Sequence, residues 1–140
     1  MRFGKDIVLI SKHFRRQRNR YMEPFGLKGI HARLLVTICD HPGISQDKLA
    51  QWLSIDKSTV ARQVAVLEEG AYLLRTPSAE DKRVLCLTPT KKTVELLPGL
   101  QQEMDRYEEK LLGALNNEER KLFLSFLGRI CADAEKEDLA

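Results

Sequence analysis

The chain has 140 residues, of which 43% are hydrophobic and 6% aromatic, and a formal net charge of +3. This length predicts one folded domain with an aliphatic core, and no apolar run approaches the ~18 residues that a membrane-spanning helix needs. The apolar run near the N-terminus is too short for a secretory signal and lacks a cleavage site of small residues, so we expect a cytoplasmic protein.

Charge is unevenly distributed along the chain. Residues 1–28 carry eight Lys or Arg and two acidic residues, whereas residues 93–140 carry six and eleven. Ends of opposite sign could be held together partly by charge complementarity. Two solvated helix faces with unrelated charge biases are an equal alternative.

The first predicted helix spans residues 3–22 and carries an apolar seam at Phe3, Ile7, Ile10, Phe14 and Tyr21. A seam of this kind requires a helical partner. The basic run at residues 15–20 is a contact for DNA or a ligand, or else a solvated face. Pro24 and Gly26 then mark a break, and a second helix is predicted over residues 28–40.

The central segment predicts two short helices joined by a sharp turn. Ser45 is a suitable N-cap for a helix over residues 46–53, and Asp56 for a helix over residues 57–69. Helical spacing predicts inward-facing residues at Leu49, Leu53, Ile55, Val60, Val64 and Leu67. We expect the outer face of the second helix to carry Ser58, Thr59, Arg62 and Gln63.

Residues 73–77 and 84–88 are predicted to form a hairpin whose loop carries Asp81, Lys82 and Arg83. A helix that presents Ser, Thr, Arg and Gln can reach base edges and phosphates in a major groove, and a basic loop beside it can reach the neighbouring groove. This combination predicts a winged helix-turn-helix DNA-binding lobe over residues 28–92.

Two more helices are predicted after the hairpin. Thr88 followed by Pro89 indicates the start of the fifth helix, and Pro98 inside it is expected to kink or break it. Residues 116–119 resemble a capping box for the last helix, whose apolar stripe consists of Leu122, Phe123, Phe126, Leu127 and Ile130. Because so small a chain cannot easily bury all of these stripes, we expect residues 1–27 and 93–140 to be dimerisation helices.

The cysteines Cys39, Cys86 and Cys131 lie far apart and form no CxxC or Cys/His pair. This spacing argues against a metal site, and no cofactor is expected. We interpret the three as small apolar residues in a reducing compartment. The alternative is a redox sensor, which needs an exposed thiolate with a lowered pKa.

The order of elements and several motifs resemble the MarR family of transcriptional regulators. Residues 27–35 resemble the family's entry into its second helix, residues 45–69 its helix-turn-helix, and residues 67–75 its path out of the recognition helix. Residues 81–88 contain the wing signature, D-x-R followed by L-T. The family usually has glycine where this chain has Ala71; with a glycine one place earlier, we expect a re-registered turn into the wing.

The resemblance implies a mainly α fold with a small β-hairpin wing, formed by a single chain over residues 1–140. It implies a homodimer held by the N- and C-terminal helices, and repression of nearby genes relieved by a small anionic aromatic effector or by cysteine oxidation. The predicted function is thus a homodimeric repressor that binds double-stranded DNA at a pseudo-palindromic operator. The alternative is a winged-helix protein-interaction module without sequence-specific DNA binding. No enzyme is expected, because the sequence has no nucleophile elbow, phosphate loop, HExxH motif or glycine-rich dinucleotide turn.

The predicted DNA-binding residues divide into a helix group and a wing group. In the helix group, Lys57 and Arg62 are phosphate or guanine contacts. In the wing, Arg83 enters the minor groove and Asp81 orients its guanidinium; a weak surface ion pair is the alternative. The whole predicted set is Ser45, Gln46, Lys57, Ser58, Thr59, Arg62, Gln63, Asp81, Lys82 and Arg83.

A ligand cavity near the dimer base is a further hypothesis. His13 and His31 would line this cavity, and Arg16 would bind a carboxylate of the ligand. A solvated or capping role for the histidines is the alternative.

Overall fold

The computed structural model of the chain describes residues 2–138. Met1, Leu139 and Ala140, which the predicted dimerisation segments include, lie outside the described residues. In chain order the elements are α1 (Arg2–Met22), a 3₁₀ turn (Glu23–Phe25), α2 (Gly29–Asp40), β1 (Ile44–Ser45), α3 (Gln46–Leu53), α4 (Lys57–Glu69), β2 (Leu73–Pro77), β3 (Leu85–Pro89), α5 (Lys91–Leu111) and α6 (Asn117–Asp138). The chain divides into two compact units, the first ending at Met104 and the second beginning at Asp105.

The first unit has an aliphatic core formed by the central helices and the sheet. Four of the predicted inward-facing residues, Leu49, Val60, Val64 and Leu67, have no exposed surface. Leu53 and Ile55 are half-buried and pack against the same core. Each fully buried aliphatic side chain stabilises the fold by ~1.5–3 kcal/mol relative to its exposed state, so this core fixes α3 and α4 relative to each other.

The sheet has three antiparallel strands in the order β1-β3-β2. The predicted hairpin is confirmed, with Arg75 opposite Leu87. The short strand β1 was not expected from the sequence. Its residue Ile44 pairs with Leu87, and two residues are too few to show the alternation by which a strand is recognised.

The predicted start of the fifth helix is wrong. Thr88 and Pro89 belong to β3, where they pair with β2, and α5 begins only after Thr90, whose carbonyl oxygen accepts hydrogen bonds from two N–H groups of the first turn. Of the kink or break expected at Pro98, the break does not occur, because α5 continues through this residue to Leu111. The proline has no N–H to donate to the preceding turn, but its fixed φ is compatible with a helix that continues on both sides.

The re-registered turn into the wing is not observed. Gly70 has φ −77°, whereas Ala71 has φ +63°. The left-handed residue is therefore the alanine.

The helix α1 contacts the core through the residues at its C-terminus. Met22 is fully buried and Tyr21 packs against the core. The seam residues Phe3 and Ile7 at the other end are exposed by 64% and 41% within this single chain. The first unit therefore leaves this apolar face of α1 exposed.

The second unit consists of the end of α5, a turn and α6. The predicted capping box is confirmed: the Asn116 and Glu119 side chains each accept a hydrogen bond at 2.9 Å from the other residue's backbone N–H. The Arg120 guanidinium donates to the carbonyl oxygen of Leu112 at 3.2 Å. The exposed apolar residues of α6 are Leu122, Phe123, Leu124, Phe126 and Ile130.

Candidate nucleic-acid interface

The two helices of the helix-turn-helix are capped as predicted. The Ser45 Oγ accepts a hydrogen bond from the Lys48 N–H at 3.1 Å, which satisfies one of the free donors at the start of α3. Ser54 ends the same helix in a left-handed conformation, with φ +51°. The carboxylate of Asp56 accepts a hydrogen bond from the Thr59 N–H at 3.2 Å at the start of α4. These caps fix the sharp turn that presents α4.

The first turn of α4 contains a small polar network. The Ser58 hydroxyl donates to the Asp56 carboxylate, and this bond, with the backbone N–H of Thr59, lowers the pKa of Asp56. The Thr59 Oγ1 accepts a hydrogen bond from Arg62 at 3.2 Å. Two of the predicted DNA contacts, Ser58 and Thr59, are thus also partners of neighbouring side chains, and they would have to exchange or share these bonds to contact DNA.

Lys57 and Arg62 are exposed, as a DNA contact requires. The Lys57 ammonium lies 4.0 Å from the Asp47 carboxylate in an open arrangement, which is worth little in water. Gln46, at the start of α3, is half-buried, and its Oε1 is buried with no hydrogen-bond partner among the described residues.

The structure corrects the expected outer-face position of Gln63. This residue is half-buried on the flank of α4, and its Oε1 lies 2.7 Å from the Nε2 of His31 on α2. The Nδ1 of the same histidine accepts a hydrogen bond from the Lys28 N–H at 2.9 Å. Because Nδ1 is the acceptor, the neutral ring carries its proton on Nε2 and donates it to Gln63. Gln63 therefore connects the recognition helix to α2 in this chain.

The wing presents its basic residues at the tip of the hairpin. Arg83 and Asp81 form a two-pronged pair, with Nε–Oδ1 and Nη2–Oδ2 distances of 3.2 Å each. The same carboxylate accepts the Arg83 backbone N–H at 3.0 Å. The side chain of Arg83 is 91% exposed, and its hydrogen bonds lower the pKa of Asp81. The carboxylate thus holds the exposed guanidinium in one direction, and Lys82 beside it is also exposed.

The three candidate ligand residues lie on two helices, with His13 and Arg16 on α1 and His31 on α2. Arg16 is exposed and His13 half-buried on α1. His31 is only 4% exposed, and both of its ring nitrogens are engaged. Burial lowers the pKa of His31, the Gln63 bond raises it in part, and the Lys28 charge lowers it again. His31 takes the capping role that was the alternative for this residue.

A different pair of arginines lines a cavity of about 240 Å³ in the first unit. Arg18 and Arg33 lie there with the apolar side chains of Val36, Leu53 and Leu100. Burial lowers the pKa of Arg18, as do the positive charges of Arg33 and Arg15. The Nε of Arg18 is buried without a hydrogen-bond partner among the described residues. The basic run at residues 15–20 includes Arg18, but no sequence pattern pairs it with Arg33, because that residue lies on a separate helix.

A capped helix-turn-helix followed by a hairpin with an exposed, oriented arginine defines a winged helix-turn-helix DNA-binding protein. No helix within residues 2–138 is long and apolar enough to cross a bilayer. In the same residues, no three His, Cys, Asp or Glu side chains come together as a possible metal site.

Comparison with known proteins identifies the family. The MarR family model matches residues 25–84. The HTH-type transcriptional regulator YybA of Bacillus subtilis is 31% identical over 103 residues, which are 74% of this chain and 69% of the relative. The transcriptional regulator HosA of Escherichia coli O157:H7 is 30% identical over 93 residues, 66% of this chain and 69% of HosA.

Solved structures share the fold over nearly the whole chain. A crystal structure of MarR superposes with a TM-score of 0.89 at 28% identity, covering 97% of this chain and 99% of that one. A Listeria monocytogenes protein solved in complex with 26mer DNA superposes with a TM-score of 0.83 at 24% identity, covering 95% and 89%. The chain belongs to the MarR family and is a DNA-binding transcriptional regulator.

Proposed function

We propose that this regulator is a homodimeric repressor that binds a pseudo-palindromic operator through α4 and the wing. The observation that carries the proposal is the pair of exposed cations, Arg62 on the recognition helix and Arg83 at the wing tip. One can reach base edges in a major groove and the other the adjacent minor groove. The Listeria protein of the same fold was solved with DNA, which supports this assignment.

The dimer is proposed from the apolar faces that a single chain leaves exposed. On α1 these are Phe3, Ile7, Val8 and Leu9; on α6, Phe126 and Ile130 are both about half exposed. Large apolar side chains left exposed on a helix mark an interaction site. A second copy of the chain covers both faces and presents two recognition helices to two half-sites of DNA. We therefore assign residues 1–27 and 93–140 to dimerisation and residues 28–92 to DNA binding.

The DNA-binding proposal is tested with the DNA upstream of the chain's own gene. Fluorescence anisotropy should show saturable binding of this DNA that random DNA of equal length does not match. Arg62→Ala should lose more affinity for the specific site than for random DNA, because a bidentate base contact discriminates by ~1–3 kcal/mol. Lys110→Ala, which removes an exposed charge outside residues 28–92, is the control and should change neither affinity.

The competing assignment is a winged-helix module that binds protein instead of DNA. Such a module has no need for basic residues on the groove-facing surface, whereas this chain keeps Arg62, Lys82 and Arg83 exposed there. Equal, weak affinity for the upstream DNA and for random DNA at 0.15 M salt would support the module.

Relief by a small anionic aromatic effector is proposed for the first unit. The cavity beside Arg18 and Arg33 supports it, because a buried guanidinium Nε without a partner is a ready donor for a carboxylate. The original candidates His13 and Arg16 remain proposed contacts on the same helix as Arg18. Salicylate is a suitable probe: at 100 times its dissociation constant it should stabilise the protein by ~2.7 kcal/mol and weaken operator binding. Arg33→Ala should abolish both effects.

A further inference from the structure

The turn between α4 and β2 has a backbone conformation that its own residue disfavours. Ala71 has φ +63°, in the left-handed region. A side chain with a Cβ disfavours this region, because the Cβ comes too close to the following carbonyl oxygen. Two local backbone hydrogen bonds of the helix C-cap support it, from the Ala71 N–H to the Glu68 carbonyl oxygen at 3.0 Å and from the Tyr72 N–H to that of Leu67 at 2.9 Å. A strained residue of this kind is also maintained by contacts from elsewhere in the structure.

The start of α5 supplies these contacts. The Lys92 ammonium donates to the carbonyl oxygen of Gly70 at 2.9 Å. The Thr90 hydroxyl donates to that of Ala71 at 2.6 Å, and the Thr93 hydroxyl to that of Tyr72 at 2.5 Å. Three consecutive carbonyl groups of the turn are thus each held by a side chain, one from Thr90, directly before α5, and two from the first turn of α5.

The aromatic ring of Tyr72 strengthens the Lys92 contact. The Lys92 Nζ lies 4.2 Å from the ring centroid, within the range of a cation–π interaction. A Cβ at Gly70 would lie 2.9 Å from the same ring, so glycine at this position lets the ring pack on the turn. The ammonium therefore has two partners in the turn, although the residue is exposed.

We propose that Lys92 is a positioning residue for DNA binding, which holds the left-handed turn at Ala71 and so sets the direction of the wing relative to the recognition helix. Helix α4 ends at Glu69 and β2 begins at Leu73. A change of φ and ψ between them swings the whole hairpin, and Arg83 at its tip then misses its groove. The proposal rests on DNA contact by both α4 and the wing, and it assigns no DNA contact to Lys92 itself.

The experiment compares two adjacent lysines that carry the same charge. Lys92→Met keeps most of the side-chain length and removes the ammonium. Lys91→Met is the matched control, because the Lys91 ammonium lies 3.8 Å from Glu95 and has no bond to the turn in the described structure. Lys92→Met should weaken operator binding about tenfold, the scale of one lost charge-assisted hydrogen bond. Lys91→Met should change it less than about twofold, and Lys92→Arg, which keeps a donor and a cation, should restore wild-type affinity.

Two further readouts separate positioning from a direct phosphate contact. In an Arg83→Ala background, which lacks the wing contact through which positioning acts, Lys92→Met should leave the slope of log K against log salt unchanged, whereas loss of a direct phosphate contact by Lys92 lowers it by about one unit per contact. In an Ala71→Gly background the turn is favourable without the ammonium, so Lys92→Met should then cost only about twofold.

Several results would overturn the proposal. These are a slope that Lys92→Met reduces by about one further unit in the Arg83→Ala background, an equal cost of Lys92→Met in the wild-type and Ala71→Gly backgrounds, no rescue by Lys92→Arg, or a Lys92→Met protein that is unfolded by circular dichroism. Failure of the wild-type protein to bind the operator would instead count against the proposed operator recognition, so the two failures are distinguishable.

Discussion

The Asp81–Arg83 pair in the wing predicts an effect on DNA binding opposite to the one that charge counting alone predicts. Asp81 brings a negative charge close to DNA phosphates, so its removal should strengthen binding if only repulsion mattered. Its carboxylate, however, holds the guanidinium of Arg83 by two hydrogen bonds and the backbone by a third. We expect Asp81→Ala to weaken DNA binding, because the freed guanidinium must be ordered again when DNA binds.

The effect of Asp81→Ala on DNA binding cannot exceed the effect of removing the Arg83 side chain completely. Each phosphate contact contributes about 0.9 to the slope of log K against log salt. Arg83→Ala therefore lowers the slope by about 0.9 per subunit, or about 1.8 for the proposed dimer. When salt rises from 50 to 200 mM, the affinity of wild type therefore falls by a factor about 12 times larger than the factor for Arg83→Ala. Asp81→Ala should show part of this change.

The assay is fluorescence anisotropy of labelled operator DNA across this salt range. Glu80→Ala is the matched control, because it removes the same charge from the same hairpin while leaving the Asp81–Arg83 pair intact. Glu80→Ala should bind as tightly as wild type or more tightly, whereas Asp81→Ala should bind less tightly. If both variants bind more tightly, repulsion dominates and the orienting role of Asp81 is refuted.

Three other predictions concern acid stability, assembly and redox response. The pKa of His31 is lowered in the folded state. The neutral ring therefore contributes to folding stability fully above the unfolded pKa near 6.5, and this contribution is lost as pH falls towards the folded pKa. Urea denaturation between pH 7 and 5 should show a steeper loss of stability in wild type than in His31→Gln. Phe126→Glu places a charge on the exposed face of α6, and sedimentation should show a shift from dimer to monomer; an unchanged dimer would exclude this face from the interface. Peroxide should not control DNA binding through Cys39, because burial and Asp40 raise the pKa of this thiol and so disfavour its thiolate. A peroxide-induced loss of binding that a Cys39 substitution prevents would contradict this; substitutions of Cys86 and Cys131 are the parallel tests for the other two cysteines.

Local signals were sufficient to locate the helices of the DNA-binding lobe. The bounds of α3 and α4 agree with those predicted, because Ser45 and Asp56 are strong N-caps and the apolar spacing has a helical period. The capping box before α6 was predicted for the same reason. Such signals act within a few residues, so they are visible in the sequence before any tertiary contact is known.

Other features depend on residues far apart in the chain. Strand β1 exists because Ile44 pairs with Leu87, and Thr88 extends β3 instead of starting a helix because Leu74 lies opposite it. In both cases hydrogen bonds to a distant strand decide the backbone conformation. Local preference at these positions is too weak to predict the result.

By itself, the sequence determined the order of the helices, the hairpin, the pairing of Asp81 with Arg83 and membership of a DNA-binding family, since each follows from short-range spacing or from motifs. Only the tertiary structure decided that Gln63 turns towards His31, that Arg18 and Arg33 share a cavity, and that Lys92 holds the turn beside Ala71. The physical reason is that a polar side chain on the flank of a helix has several partners within reach. Which of these it bonds depends on the packing of the neighbouring helix, and that packing is set by the whole core.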